Sequence, residues 1–137
     1  MPVVKTDSTM STILANAHVI AVVGHSDKPY RTSYQIAHYL RRAGYRVIPV
    51  NPSVDEIDGE KCYTSLADIP EPVDIVDVFR RAEHLPGVVQ EAIDVGAGAV
   101  WGQLGIYHAE ATALAETHDL PLVMDRCIKI EHLRLMG

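Results

Sequence analysis

"VVGHSDKPYRTSYQIAHYL", residues 22–40, is the stretch that decides the fold. An apolar strand runs into a glycine, then into a polar loop with Lys28 and Arg31, then into a helix. Ile36, Ala37, Leu40 and Ala43 recur at helical spacing, and Gly44 ends the pattern. Extended back to "HVIAVVG" (18–24), the strand is almost wholly apolar, as a strand covered on both faces is.

The same alternation continues in both directions. Upstream, residues 1–7 read as frayed, and Thr6, Asp7 or Ser8 caps a short helix over Met10, Ile13 and Leu14. Downstream, "YRVIPV" (45–50) is a second strand. Its Pro49 has no donor for a ladder, so an irregular end is expected there. Residues 51–72 are less regular, with a turn at Gly59 and a helical turn in "SLADIP" (65–70) capped by Ser65. "VDIVDVF" (73–79) is a third strand, and Leu85, Val88, Val89, Ala92 and Ile93 make a helix face closed by Gly96. "GAVWGQ" (98–103) is a fourth strand, 108–118 an alanine-rich helix, "PLVMD" (121–125) a fifth strand, and 128–136 a last helix or turn.

Strands separated by helical patterns of this length imply βαβ units and a parallel sheet. The expectation is an α/β, Rossmann-like, doubly wound five-stranded sheet in the order 3-2-1-4-5. In that order the switch point lies between strands 1 and 4, so residues 24–33 and 101–105 should face one crevice.

The loop after the first strand reads as an anion site. A helix start offers unpaired N–H groups and partial positive charge, which suits phosphate. Thr32 and Gln35 have the spacing of a capping box. Ser26, Thr32 and Ser33 add hydroxyls, Lys28 and Arg31 add charge, and Gly24 allows a tight turn. His25 stands beside Gly24 as a further phosphate donor. The ligand is not held by a P-loop, since GK[ST] is missing. A dinucleotide fingerprint needs more glycines than Gly24 and an acid after the second strand, where Asn51 and Pro52 stand instead. A polyphosphate adenine ligand held in another way fits better, with Tyr30, Tyr34 or Phe79 covering its adenine or its arm. Trp101, the only tryptophan, reads equally as core or as ligand contact.

The totals narrow the class. The chain has 137 residues and a formal charge of −6, which argues against a nucleic-acid coat. No signal peptide and no membrane-length apolar run is seen, and the two cysteines form no zinc or CxxC pattern. The seven histidines show no metal-ligand spacing. Asp74 and Asp77 lie on opposite faces of their strand, with Asp77 deep in the sheet and bonded to neighbouring backbone. A cytoplasmic protein with reduced thiols, no metal and no membrane partner is expected. The apolar tail "EHLRLM" (131–136) packs on its own domain or on a second copy as a homodimer.

Several segments together resemble one family: "VVGHSDKPYRTSY", "GYRVIPVNP", "IDGEKCYTSLADIP", "VDIVDVFRR", "AVWGQLG" and "MDRCIKIEHLRL". They are similar to the small single-domain coenzyme A-binding proteins, relatives of the CoA-binding domain of the succinyl-CoA synthetase alpha subunit and of ADP-forming acyl-CoA synthetases. The resemblance implies one Rossmann-like domain over residues 1–137 that binds CoA or acyl-CoA without catalysis of its own. By position it implies that Gly24 through Ser33 meet the CoA phosphates and that Val50, Asn51 and Pro52 lie beside the nucleotide. It places Val78, Phe79 and Arg80 against adenine or pantetheine, and Trp101, Gly102 and Gln103 along the pantetheine arm. Asp27 stands where many relatives have proline, and an acid there must turn away or pair with Lys28 or Arg31. The synthetases' phosphorylated histidine belongs to a following domain, so ligase chemistry is not expected to carry over. Cys127 reads as a small residue packed under a turn, with a mixed disulfide to the CoA thiol as the alternative. A small NAD(P)-binding enzyme or redox sensor, and an accessory chain of a separate synthetase, are the competing readings.

Overall fold

The computed structural model describes residues 3–137. Its elements, in chain order, are α1 (Asp7–Asn16), β1 (Val19–Val23), α2 (Thr32–Arg42), β2 (Arg46–Val50), β3 (Glu56–Ile57), β4 (Glu60–Lys61), β5 (Ile75–Val78), α3 (Leu85–Val95), β6 (Ala99–Gly102), α4 (Ala109–Thr117), β7 (Leu122–Val123) and α5 (Ile128–Met136). Five strands form one parallel sheet in the order β2-β1-β5-β6-β7.

Period-two alternation along the strands splits the core between two faces. Ala21, Val23, Val76, Val78 and Val100 pack toward α3 and α4, through Val88, Val89, Ala111 and Ala115. Ile20, Val22, Ile75, Trp101 and Val123 pack toward α1, α2 and α5, through Met10, Leu14, Ile36, Leu40 and Ile128. Helices on both faces of a parallel sheet make this a doubly wound, Rossmann-like fold.

The strand order corrects the sequence expectation. Counted over the five strands of the main sheet it is 2-1-3-4-5, not 3-2-1-4-5, because "VDIVDVF" pairs with β1. The place outside β2 holds only Tyr63, joined by a single parallel bridge to Val50. The chain from Val54 to Cys62 is spent on the β3–β4 hairpin, turned by Asp58 (φ 50°) and Gly59 (φ 84°), so no long strand forms there. The switch point therefore lies between β1 and β5, the third strand of the sheet in chain order, where the fourth was expected.

Three smaller expectations also change. β2 runs regularly through Pro49, which pairs with Val22. The Pro49 carbonyl accepts from Tyr63 N (3.0 Å) on the outer side, so the missing N–H falls on the sheet edge. Val3 bridges to Leu122 and Val4 N donates to its carbonyl (2.9 Å), so this part of the N-terminus is tied to the sheet rather than frayed; residues 1–2 lie outside the described residues. Ser65 precedes the helical turn Leu66–Asp68 but donates its hydroxyl to Asp68 (3.2 Å) instead of capping.

Candidate functional site

The carboxyl ends of β1, β2, β5 and β6 open on one groove. A cavity of about 300 Å³ is bounded by Gly24, Ser26, Lys28, Arg31, Ser33 and Phe79. A second of about 360 Å³ is bounded by Thr32, Phe79, Arg80, Gln103, Ile106 and Cys127. A narrow one of about 50 Å³ lies between Gly24, Val50, Pro52, Leu66 and Arg80. Gly24, Thr32, Phe79 and Arg80 are each shared by two of these spaces, which therefore lie side by side across the switch point.

Gly24 makes the close approach at its centre. Its φ is +88°, and a Cβ there would lie 2.7 Å from the Phe79 carbonyl oxygen. Only glycine fits both the left-handed backbone and that contact. Gly24 N donates to Val50 O (2.8 Å) and Phe79 N to Val23 O (2.8 Å), which fixes the three strand ends together.

The loop is folded by its own hydroxyls. Ser33 Oγ accepts from Ser26 N (2.9 Å), and Ser26 Oγ accepts from Lys28 N (3.0 Å). The expected capping box is not formed. Thr32 is the first helical residue, the cap position is Arg31, and no side chain caps α2. Gln35 turns back instead, its Nε2 donating to Pro29 O (3.4 Å) and Tyr30 O (3.5 Å). The opening N–H groups of α2 thus keep their capacity for an outside acceptor. Lys28 and Arg31 are exposed and have no carboxylate partner among the described residues. Arg31 lies 5.7 Å over the Tyr30 ring, itself exposed. Asp27 is exposed and pairs with neither cation, so it does not neutralise them.

His25 does not face the groove. Its ring is fully buried, with Nδ1 bonded to Ser26 O (2.8 Å) and Nε2 to Arg41 Nη1 (3.2 Å). Nδ1–H donates to the carbonyl, which leaves Nε2 to accept from the guanidinium. Burial, and the nearby Arg41 charge, push its pKa down to about 4 against the opposing Ser26 hydrogen bond. The imidazole is a neutral strut under the loop, and the expectation that it donates to phosphate is corrected. Asn51 is a second strut. Its Nδ2 donates to His25 O (3.0 Å) and its Oδ1 accepts from Ser53 N (2.9 Å).

On the far wall, Trp101 is fully buried, with Nε1 donating to Arg126 O (2.9 Å). Its ring belongs to the core and not to the groove. Gly102 and Val78 are also buried beneath the surface, while Phe79 and Arg80 stand at it. Gln103 reaches the lining. Its Nε2 donates to Asp77 Oδ1 and its Oε1 accepts from Ile128 N (3.4 Å). Asp77 is fully buried, and Oδ2 has no partner. Burial holds its carboxyl well above the usual range, only partly opposed by Gln103. The expected backbone bonds belong instead to Asp74, whose Oδ2 accepts from His18 N (2.8 Å) and Val19 N (2.9 Å). No group of His, Cys, Asp and Glu among the described residues could hold a metal ion.

Leu104 lines the groove as the 101–105 expectation required, while sequence reasoning missed Ile36 and Ile106. Ile36 looked like pure core because it keeps helical spacing with Leu40. The run after β6 gave a usable signal in Gly105, which takes φ +80° and turns Leu104 and Ile106 to the groove.

Comparison with known proteins identifies the family. The family model described as a CoA binding domain matches residues 18–133. The chain belongs to that CoA-binding-domain family. YneT of Bacillus subtilis (strain 168) is 45% identical over 120 residues, covering 88% of this chain and 89% of its own. A solved protein from Pyrococcus horikoshii OT3 superposes with a TM-score of 0.93 at 41% identity, covering 97% of this chain and 94% of that one. The ADP-forming acetate–CoA ligase of Methanocaldococcus jannaschii is 27% identical over 119 residues; these make up 81% of this chain but only 17% of the ligase.

Proposed function

We propose that this chain, as a single domain, binds coenzyme A or an acyl-CoA in the strand-end groove, without chemistry of its own. The observation that carries the reading is the uncapped start of α2, flanked by Lys28 and Arg31, which have no ion-pair partner among the described residues, with adjoining cavities on both sides. The diphosphate takes the N–H groups of Thr32 and Ser33 and the charges of Lys28 and Arg31. The nucleotide end lies toward Val50, Pro52 and Arg80, with Asn51 bracing that wall. The pantetheine arm runs past Phe79 toward Gln103, Ile106 and Cys127, where the lining is mainly apolar.

Two features disfavour NAD(P). The loop has only Gly24 where the dinucleotide fingerprint has several glycines. Asn51, at the position of the ribose-binding acid, has its amide already engaged with His25 and Ser53. Ligase activity has no support either, since the acetate–CoA ligase is matched over only 17% of its length. A crystal grown with CoA tests the assignment. Diphosphate density at residues 24–33 is the expected result; density elsewhere, or a loop closed by its own side chains, overturns it.

A further inference from the structure

A cavity of about 550 Å³ lies away from the strand ends, between α2 and α5. Gln35, His38, Tyr39 and Arg42 line it from one stripe of α2, at positions three and four apart, and Lys129 and His132 line it from α5. Its floor is held by hydrogen bonds and ring contacts. The Tyr39 hydroxyl and His132 Nδ1 are hydrogen-bonded (2.6 Å), the Tyr39 and Tyr45 rings meet the imidazole edge-on, and Tyr45 OH donates to Leu14 O (2.6 Å). His132 Nε2 has no partner among the described residues.

The rim is basic in a chain whose net charge is −6. Arg42 and Lys129 form no ion pair among the described residues; Lys129 rests 5.6 Å over the Tyr39 ring. No carboxylate lines the space. The acid of α5, Glu131, is taken up by Arg134 (2.7 Å) and Arg126 (3.8 Å). Guanidinium, ammonium and imidazole groups therefore line one concavity of ligand size, with no carboxylate among them.

We propose that the α2–α5 groove is a second binding site, for a small multivalent oxyanion with phosphate or carboxylate groups, separate from the strand-end groove. Its charged groups come from the last turn of α2 and from α5, while the proposed CoA site uses the first turn of α2 and the loop before it. The two sites therefore respond to different substitutions.

Pyrophosphate and citrate serve as probes, titrated into the full chain by calorimetry and by NMR of the histidine rings. At least one should saturate and shift the His132 signals, and the tighter probe identifies the preferred acid group. The Lys28→Ala/Arg31→Ala variant should keep this binding. The Arg42→Ala/Lys129→Ala variant should weaken it about tenfold or more, as expected when charge-assisted contacts are removed. Lys28, Arg31 and Arg42 are exposed and Lys129 is half-buried, so folding should be retained, which circular dichroism verifies. The ring shifts in the unaltered chain stand independently of any variant. The proposal is overturned if neither probe saturates, or if binding vanishes in the Lys28/Arg31 variant and survives in the Arg42/Lys129 variant. CoA titrated into the same variants should weaken with the Lys28/Arg31 pair and much less with the Arg42/Lys129 pair, so either site can fail without the other.

Discussion

Gly24 and Phe79 meet backbone to backbone across the switch point, so closely that a Cβ on Gly24 would stand 2.7 Å from the Phe79 carbonyl oxygen. Gly24→Ala must open that contact and also hold a left-handed residue at φ +88°. Strain of this kind costs about 1–3 kcal/mol, and the forced separation adds to it. Urea unfolding should show a loss of about 2 kcal/mol or more. CoA affinity should fall as well, because the loop is displaced. Unchanged stability would mean that the two strand ends are not locked as described.

Arg31→Ala addresses the ligand rather than the fold. The side chain is exposed and has no ion-pair partner among the described residues, so stability should stay within about 0.5 kcal/mol. CoA binding, measured by calorimetry, should weaken on the order of 1–3 kcal/mol, the range for a lost charge-assisted hydrogen bond. Affinity equal to that of the unaltered chain would remove Arg31 from the phosphate site.

His25 makes the fold sensitive to acid. Folded, its pKa sits at about 4, against an ordinary 6.5 when the chain is unfolded. Between those values the unfolded chain binds the proton and the folded chain refuses it. Stability is therefore complete above pH 6.5 and drains away as pH falls toward 4, by on the order of 3 kcal/mol. NMR should find the His25 ring neutral at pH 5. A ring protonated at that pH would contradict the buried pairing with Arg41.

Asp77 acts in the opposite direction. Its folded pKa is raised above the ordinary 3.8, so the folded chain holds a proton that the unfolded chain has lost. Stability falls as pH rises through that window. Asp77→Asn keeps the shape and an acceptor for Gln103 while removing the proton. The variant should be at least as stable as the parent at pH 7, and its acid sensitivity should show the His25 contribution unmasked. A large loss of stability at pH 7 would mean that Asp77 is ionised when buried.

Much of the fold was legible because apolar periodicity is a local property. HVIAVVG and VDIVDVF announced buried parallel strands, and Ile36, Ala37 and Leu40 a helix face. Strand order was not, since it depends on what fills the edge beyond β2. There a short hairpin and the lone Tyr63 bridge stand in for a strand, and nothing periodic distinguishes them. In the candidate site, Gly24 and the exposed loop cations were readable from residue type and position. His25 and Trp101 were not. Both sit beside the groove in the sequence, but the direction of each side chain is set by distant partners, Arg41 and the carbonyl of Arg126. Asp77 was rightly read as deep, yet its partner Gln103 lies on another strand's end and left no local trace.

The most direct measurement is a calorimetric titration of the unaltered chain with CoA, acetyl-CoA and NAD at low and high salt. CoA or its thioester should bind tightest, and added salt should weaken it, because exposed cations hold its phosphates. Binding of NAD in preference to CoA, or CoA affinity indifferent to salt, would contradict the account.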